Sequence, residues 1–224
     1  AGKKGHLVLL ACNREGLSNL YQLIYLAHRD GFYGKPRMDK ALLALHSRGL
    51  VASSACMGGV VANKVWSFTR GECRWEDVVA EACTYRDIFG PGRFYLELQL
   101  NESQYQRQLN EHLIRLSKES GIPLTVTTDS HYVTPDDWAH QEVIYMLRNK
   151  VTVATRGDDW DFNIKQLYIK SPQEMWESYE KFGRNHIPED IILEAFKNTL
   201  LIDSLVENYE PDTSLHLPKI KGVE

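Results

Sequence analysis

The stretch from Ile122 to Tyr132 reads IPLTVTTDSHY, a short apolar run that ends in an acid and a histidine. Side chains alternate along a β-strand, so Asp129 and His131, which are two residues apart, are expected to point the same way. Carboxylate oxygen and imidazole nitrogen both bind zinc, manganese or iron. The stretch therefore predicts a strand whose end carries a metal-binding pair. The alternative is a turn acid beside a surface histidine.

The same kind of apolar run recurs along the chain, separated by segments with helical periodicity. Such alternation predicts an α/β fold with a mostly parallel sheet, open or closed into a barrel. The predicted strands are His6–Ala11, Gly49–Ser53, Arg93–Gln99, Ile122–Thr128 and Gln166–Lys170. The predicted helices are Leu17–Arg29, Asp39–His46, Gly59–Phe68, Trp75–Phe89, Glu102–Ser120, Pro135–Arg148, Gln173–Phe182 and Pro188–Val206.

In barrels of this class, functional groups gather at the carboxyl ends of the strands. Cys56 follows the second predicted strand in a loop of small residues, SSACMGG, and its thiolate is a zinc ligand by chemistry. The alternative for Cys56 is a small buried hydrophobe. His6 is expected at the other edge, because it begins its strand. Glu97 and Gln99 share one face of the third strand, where they are either solvated or turned towards a polar barrel interior.

Composition narrows the class of protein. The 224 residues are 43% hydrophobic and 25% charged, which is ordinary for a globular protein of one large or two small domains. No apolar run is long enough to cross a membrane. The net charge is −4, and the basic clusters are small, so this segment is not expected to bind nucleic acid by itself. Four cysteines without CxxC spacing predict reduced thiols in the cytoplasm.

Five segments follow one another along the chain in an order that is typical of one family: His6–Leu20, Gly31–Arg37, His46–Cys56, Phe94–Gln99 and Thr128–Tyr132. Together they resemble the PHP (polymerase and histidinol phosphatase) domain of the bacterial or phage replicative DNA polymerase III alpha subunit. Two later segments, Leu167–Met175 and Glu194–Thr199, are similar to the stretch that follows the PHP core in that family. The resemblance covers about Gly5 to Ile220.

The resemblance implies a distorted seven-stranded α/β barrel with a cluster of divalent metals, zinc, manganese or magnesium, in its mouth. It implies that His6, Cys56, Asp129 and His131 match four of the cluster's ligands. In some members the cluster supports 3′–5′ exonuclease proofreading, and in others the domain is structural. It also implies DNA and other replicase subunits as partners, through a parent polymerase that is a nucleotidyltransferase.

The family's opening His-x-His motif, which should precede His6, and its palm domain are absent from this sequence. We therefore expect an internal fragment, inactive alone, with an incomplete barrel. Residues 1–209 are expected to form a partial PHP domain, with its core ending near residue 150, and residues 210–224 a linker. Two other functions stay open: a stand-alone PHP metal-dependent phosphoesterase acting on a small ester, and a non-catalytic scaffold module. No catalytic or substrate-binding residue is assigned.

Overall fold

The computed structural model describes residues 4–155 and 165–215. Four strands and eight α-helices follow one another in the described residues, mostly in alternation. The strands are β1 (Val8–Ala11), β2 (Leu50–Ser53), β3 (Phe94–Gln99) and β4 (Leu124–Thr127). The helices are α1 (Arg14–Arg29), α2 (Lys40–Leu45), α3 (Val60–Thr69), α4 (Trp75–Phe89), α5 (Gln104–Ser120), α6 (Trp138–Asn149), α7 (Pro172–Ser178) and α8 (Glu189–Ser204).

The strands form one sheet in the order β1-β2-β3-β4. β2, β3 and β4 run parallel, as the alternation of strands and helices predicts. β1 pairs with β2 in the antiparallel direction, with Val8 opposite Ser53 and Ala11 opposite Leu50. The α/β class and the mostly parallel sheet are therefore confirmed, and the described strands form an open sheet with β1 and β4 outermost.

Helices α1 and α2 explain why β1 and β2 are neighbours. They carry the chain away from the end of β1 and back to it, so that the Cys12 amide donates to the Gly49 carbonyl over 2.8 Å. Gly16, in the first turn of α1, is packed so closely here that a Cβ would lie 1.9 Å from the Gly49 oxygen. Asn13 begins α1 by accepting a hydrogen bond from the Gly16 amide.

The apolar face of the sheet forms the main core. Leu96 and Leu98 of β3 are fully buried there, against side chains of α3, α4 and α5. The opposite face carries a small apolar cluster of Cys12, Val51 and Tyr95, covered by the end of α8. Beyond that cluster the opposite face is polar and still buried, which is where the candidate site begins.

Three predicted elements differ from the structure. Pro135–Asp137 is a 3-10 turn ahead of α6, and Tyr179–Gly183 continues α7 as a π-helical turn. The predicted strand Gln166–Lys170 makes only an isolated bridge between Tyr132 and Tyr168. A single bridge leaves the other backbone groups of this segment outside the sheet, so it is not a fifth strand. The sequence also predicts a polar loop from Val151 to Phe162, and part of it lies outside the described residues.

The predicted boundary at residue 209 stays a prediction. Just before it, the chain returns to β1: the Glu207 amide donates to the Cys12 carbonyl over 2.7 Å, and the Tyr209 hydroxyl donates to the Ala11 carbonyl over 3.0 Å. Residues 210–215 have neither helix nor strand, and the remainder of the predicted linker lies outside the described part.

Candidate functional site

The four predicted ligands lie at the same edge of the sheet, the one where β2, β3 and β4 end and β1 begins. We call these four, His6, Cys56, Asp129 and His131, the donor residues. The expectation that His6 lies at the opposite edge is wrong, because β1 is antiparallel and its start therefore meets the end of β2. The His6 amide donates to the Gly58 carbonyl over 2.9 Å, and His6 forms a bridge with Gly59. The reversed direction of one strand thus brings His6 to the loop that holds Cys56.

His6 and Cys56 form the first pair. The Cys56 sulfur lies 3.6 Å from Nδ1 of His6. Burial raises the pKa of the Cys56 thiol, the Gly58 backbone opposes that shift, and the negative charge of Asp129 adds to it. The thiol is therefore protonated near neutral pH in the metal-free chain, and a bound cation would have to displace its proton.

Asp129 and His131 form the second pair, at the end of β4. Nδ1 of His131 lies 2.6 Å from the Asp129 carbonyl oxygen. A carbonyl only accepts, so Nδ1 donates in this contact, and Nε2 is the nitrogen of this exposed ring that no contact to the Asp129 carbonyl occupies. Burial raises the pKa of the Asp129 carboxyl; the charge of His131 opposes that shift and the charge of Glu97 reinforces it.

Asp129 also adopts a left-handed backbone conformation, with a φ of 50°. Aspartate tolerates this region better than most residues do. The turn redirects the chain immediately after β4 and ends the strict alternation of side chains. The pair is therefore positioned by a turn, and not by strand alternation as the sequence pattern predicts.

Glu97 lies in the middle of this edge and is 4% exposed. Of the two alternatives open from the sequence, solvated or turned towards a polar interior, the structure shows the second. Its carboxylate accepts hydrogen bonds from the hydroxyls of Ser53 and Thr127 and from the Gln99 amide. Ser53 and Thr127 were not singled out from the sequence; their signal is that each is a hydroxyl residue at the last position of a strand.

The donor residues have the chemistry of a metal site, but they are not grouped around one ion. Thiol, imidazole and carboxylate are a ligand set that suits zinc, and the carboxylate also suits manganese. Among residues 4–155 and 165–215, however, no group of three or more His, Cys, Asp and Glu side chains is arranged to hold one metal ion. The donor residues stand as two pairs, so the chemistry fits a divalent metal and the grouping falls short of a complete site.

Residues 1–101 match the PHP domain family, so the chain carries a PHP domain segment that includes His6, Cys56 and Glu97. Relatives extend the match. The chain is 35% identical over 207 residues to DNA polymerase III subunit alpha of Borreliella burgdorferi, covering 92% of the chain and 16% of that protein. It is 35% identical over 211 residues to the same subunit of Saccharopolyspora erythraea, covering 94% of the chain and 16% of that protein.

The DNA polymerase III subunit alpha of Aquifex aeolicus is 34% identical over 176 residues, covering 78% of the chain and 15% of that protein. The chain is thus related over most of its length to DNA polymerase III alpha subunits, as its ordered motifs predict. It spans about a sixth of the length of the curated relatives it matches.

Two other observations bear on the setting of the site. The four cysteines are all free thiols, as predicted. Throughout the described ranges, no helix combines the length and the apolarity needed to span a membrane.

Proposed function

We propose that this chain serves as part of the PHP domain of a DNA polymerase III alpha subunit. The observation that carries the proposal is the match of 92% of the chain to such subunits, together with a PHP segment in which His6 and Cys56 are in contact. The parent enzyme would be a nucleotidyltransferase that works on DNA with other replicase subunits in the cytoplasm.

At the level of the site, His6, Cys56, Asp129 and His131 would each supply one ligand to a divalent metal: zinc, manganese or magnesium. The two pairs lie within electrostatic reach, since the charge of Asp129 raises the pKa of Cys56 and the charge of His6 acts on Asp129. When bound, such metals polarise phosphate oxygens and activate water, the chemistry that 3′–5′ exonuclease activity requires. The chain's own residues would hold and orient the metal; none is assigned as acid or base.

Metal binding tests the ligand assignment. The isolated chain is expected to bind zinc or manganese weakly, because two pairs without a third common ligand give few bonds per ion. Equilibrium dialysis followed by elemental analysis should find well under one ion per chain at micromolar free metal, and less still for Asp129→Asn and Cys56→Ser.

His28→Ala is the matched control, since His28 is exposed on α1 and its Nδ1 is bonded to the Ile24 carbonyl. Tight retention of one ion per chain would contradict weak binding, and equal binding by Asp129→Asn and the unaltered chain would contradict the assignment.

Activity tests the proposal in the parent polymerase. In a preparation with a complete PHP domain that cleaves DNA, Asp129→Asn is expected to abolish metal-dependent 3′–5′ cleavage while polymerisation continues. Unchanged cleavage would refute the role of Asp129.

A non-catalytic scaffold role is the second candidate function. It is favoured by one observation, that the described residues bring no three metal-binding side chains together. A parent polymerase that retains no metal at this edge, yet loses polymerase activity when this segment is deleted, would favour the scaffold role. Cleavage of a small chromogenic phosphodiester by the chain alone would instead favour a stand-alone phosphoesterase.

A further inference from the structure

Glu97 lies on β3 and accepts hydrogen bonds from side chains of its own strand and of both neighbouring strands, β2 and β4, at the candidate site. Its carboxylate accepts from the Thr127 hydroxyl of β4 at 2.5 Å, from the Gln99 side chain of β3 at 3.0 Å and from the Ser53 hydroxyl of β2. The Glu97 amide also donates to the Ser54 hydroxyl over 2.9 Å. We call Glu97 with Ser53, Gln99 and Thr127 the Glu97 bridge.

The two outer contacts of the bridge are made at the points where the chain leaves the sheet. Ser53 is the last residue of β2, and Thr127 is the last residue of β4. The segment 54–57, which holds Cys56, begins at the next residue after Ser53; we call it the Cys56 loop. The segment 128–131, which holds Asp129 and His131, begins at the next residue after Thr127; we call it the Asp129 loop.

Both loops contain a residue in the left-handed region, Ala55 with a φ of 59° and Asp129 with a φ of 50°. Such a conformation costs about 1 kcal/mol for a residue with a Cβ and persists only where neighbouring contacts hold it. Among the described non-glycine residues only Lys150 also has a positive φ, at the end of α6. The outer hydrogen bonds of the bridge are therefore made by the residues that directly precede the two loops with strained turns.

The chemistry of the bridge argues against a role in core stability alone. Burying a carboxylate costs free energy unless it is well hydrogen bonded. The partners that the described residues offer Glu97 are hydroxyls and an amide, all neutral. Apolar side chains fill the other face of the same strand and form the core there, so core packing gives no reason for a carboxylate at residue 97.

We propose that Glu97 is a positioning residue, which sets the separation of the Cys56 loop and the Asp129 loop by hydrogen bonding to the strand ends below them. The inference deepens the proposed function, on which it rests for the meaning of the donor residues. Glu97 acts through the loops and is not itself assigned as a ligand.

Hydrogen exchange of the whole chain tests this placement. In Glu97→Ala, amides of both loops are expected to exchange about tenfold faster, which corresponds to the loss of about one hydrogen bond. Glu97→Gln keeps an acceptor oxygen for Thr127 and can donate to Ser53, so it should restore slow exchange to within about threefold. Asn198→Ala is the matched control, because Asn198 is also buried and donates to the Leu124 carbonyl at the opposite end of β4.

Variants that each remove one contact of the bridge give a second test. This test remains possible if the Glu97→Ala variant does not fold. Thr127→Val should loosen the Asp129 loop alone, and Ser53→Ala the Cys56 loop alone. The imidazole NMR signal of His131 should shift in Thr127→Val, and that of His6 should shift in Ser53→Ala. Both signals should be unchanged in Asn198→Ala.

The proposal is overturned if neither loop responds to loss of its contact, or if Asn198→Ala speeds exchange in both loops as much as Glu97→Ala does. These readouts need no metal. Metal binding that is unchanged in Asp129→Asn and Cys56→Ser, together with selective loosening in the Glu97 bridge variants, would refute the proposed ligands and leave the positioning role standing. Metal binding that falls in the ligand variants, without selective loosening in the bridge variants, would do the reverse.

Discussion

The His6–Cys56 pair and the Asp129–His131 pair lie at one edge of the sheet but are held in different ways. The first pair is held by close backbone contacts: the Val60 amide donates to the His6 carbonyl over 3.0 Å, and the Gly59 amide to the Cys56 carbonyl over 2.7 Å. The second pair is held by a distant segment that makes one isolated bridge, with the His131 amide donating to the Leu167 carbonyl over 2.7 Å.

The difference teaches how each half of the site depends on the rest of the fold. The first pair lies within residues 1–101, which match the PHP family, and its geometry follows from a backbone fit that allows little variation. The second pair follows β4, and its position depends on residues more than 30 positions further along the chain. We therefore expect the backbone contacts of the first pair to break only with a large loss of stability, and those of the second pair to break at a smaller cost.

Gly59→Ala gives the largest expected effect, because it breaks the backbone fit of the first pair. A Cβ at residue 59 would lie 2.0 Å from the Ser54 carbonyl oxygen and 2.9 Å from the Cys56 oxygen. The backbone would have to move, at a cost of about 3 kcal/mol in the free energy of unfolding. Urea unfolding followed by circular dichroism measures it.

Gly58→Ala is the matched control, one residue away. A Cβ at residue 58 meets the His6 ring at 3.6 Å, an ordinary contact, so the free energy of unfolding should change by less than about 0.5 kcal/mol. Equal losses in the two variants would show that the backbone fit at Gly59 is not what holds the first pair.

Tyr132→Phe is expected to have an intermediate effect, because it removes a long-range contact of the second pair. The Tyr132 hydroxyl accepts from the Leu167 amide over 3.2 Å, and Leu167 is buried. Losing that acceptor should cost about 1 kcal/mol, with faster amide exchange at residues 131 and 167 and no change around Cys56. Tyr105→Phe, at an exposed tyrosine of α5, serves as the control. Faster exchange in the Cys56 loop would contradict the independence of the two pairs.

Asp129→Asn should give the smallest effect, seen as a change in the pH dependence of stability in EDTA. Because burial raises the pKa of Asp129, the folded chain binds more protons than the unfolded chain between the ordinary and the raised pKa. The unaltered protein should thus lose stability relative to the variant as pH rises above about 4.

Asparagine tolerates the left-handed conformation at residue 129, so the comparison isolates the charge. Carboxyls such as Asp137 and Glu174, whose pKa values are lowered by backbone hydrogen bonds, contribute equally to both proteins and cancel in the difference. A stability difference that stays constant from about pH 4 to 7, or that grows in favour of the unaltered protein, would contradict the raised pKa.

The sequence predicted the elements well because their signals are local. Trp75–Phe89 is a helix with the predicted ends, and the sequence from Ser171 to Glu174, SPQE, has the local pattern of a capping box and begins α7. The segment Gln166–Lys170 failed for the opposite reason. Its alternation is typical of a strand, but strand formation needs a partner along the whole segment, and here it is paired at a single point.

The sequence by itself determined the α/β class, the relation to DNA polymerase III alpha subunits and the chemistry of the four donor residues, because residue type, spacing and motif order are properties of the chain alone. Only the tertiary structure decided that β1 is antiparallel, that His6 therefore meets Cys56, and that Glu97 is joined to Ser53 and Thr127. Strand direction and contacts between distant residues arise from packing the whole sheet, and no local pattern of side chains encodes them.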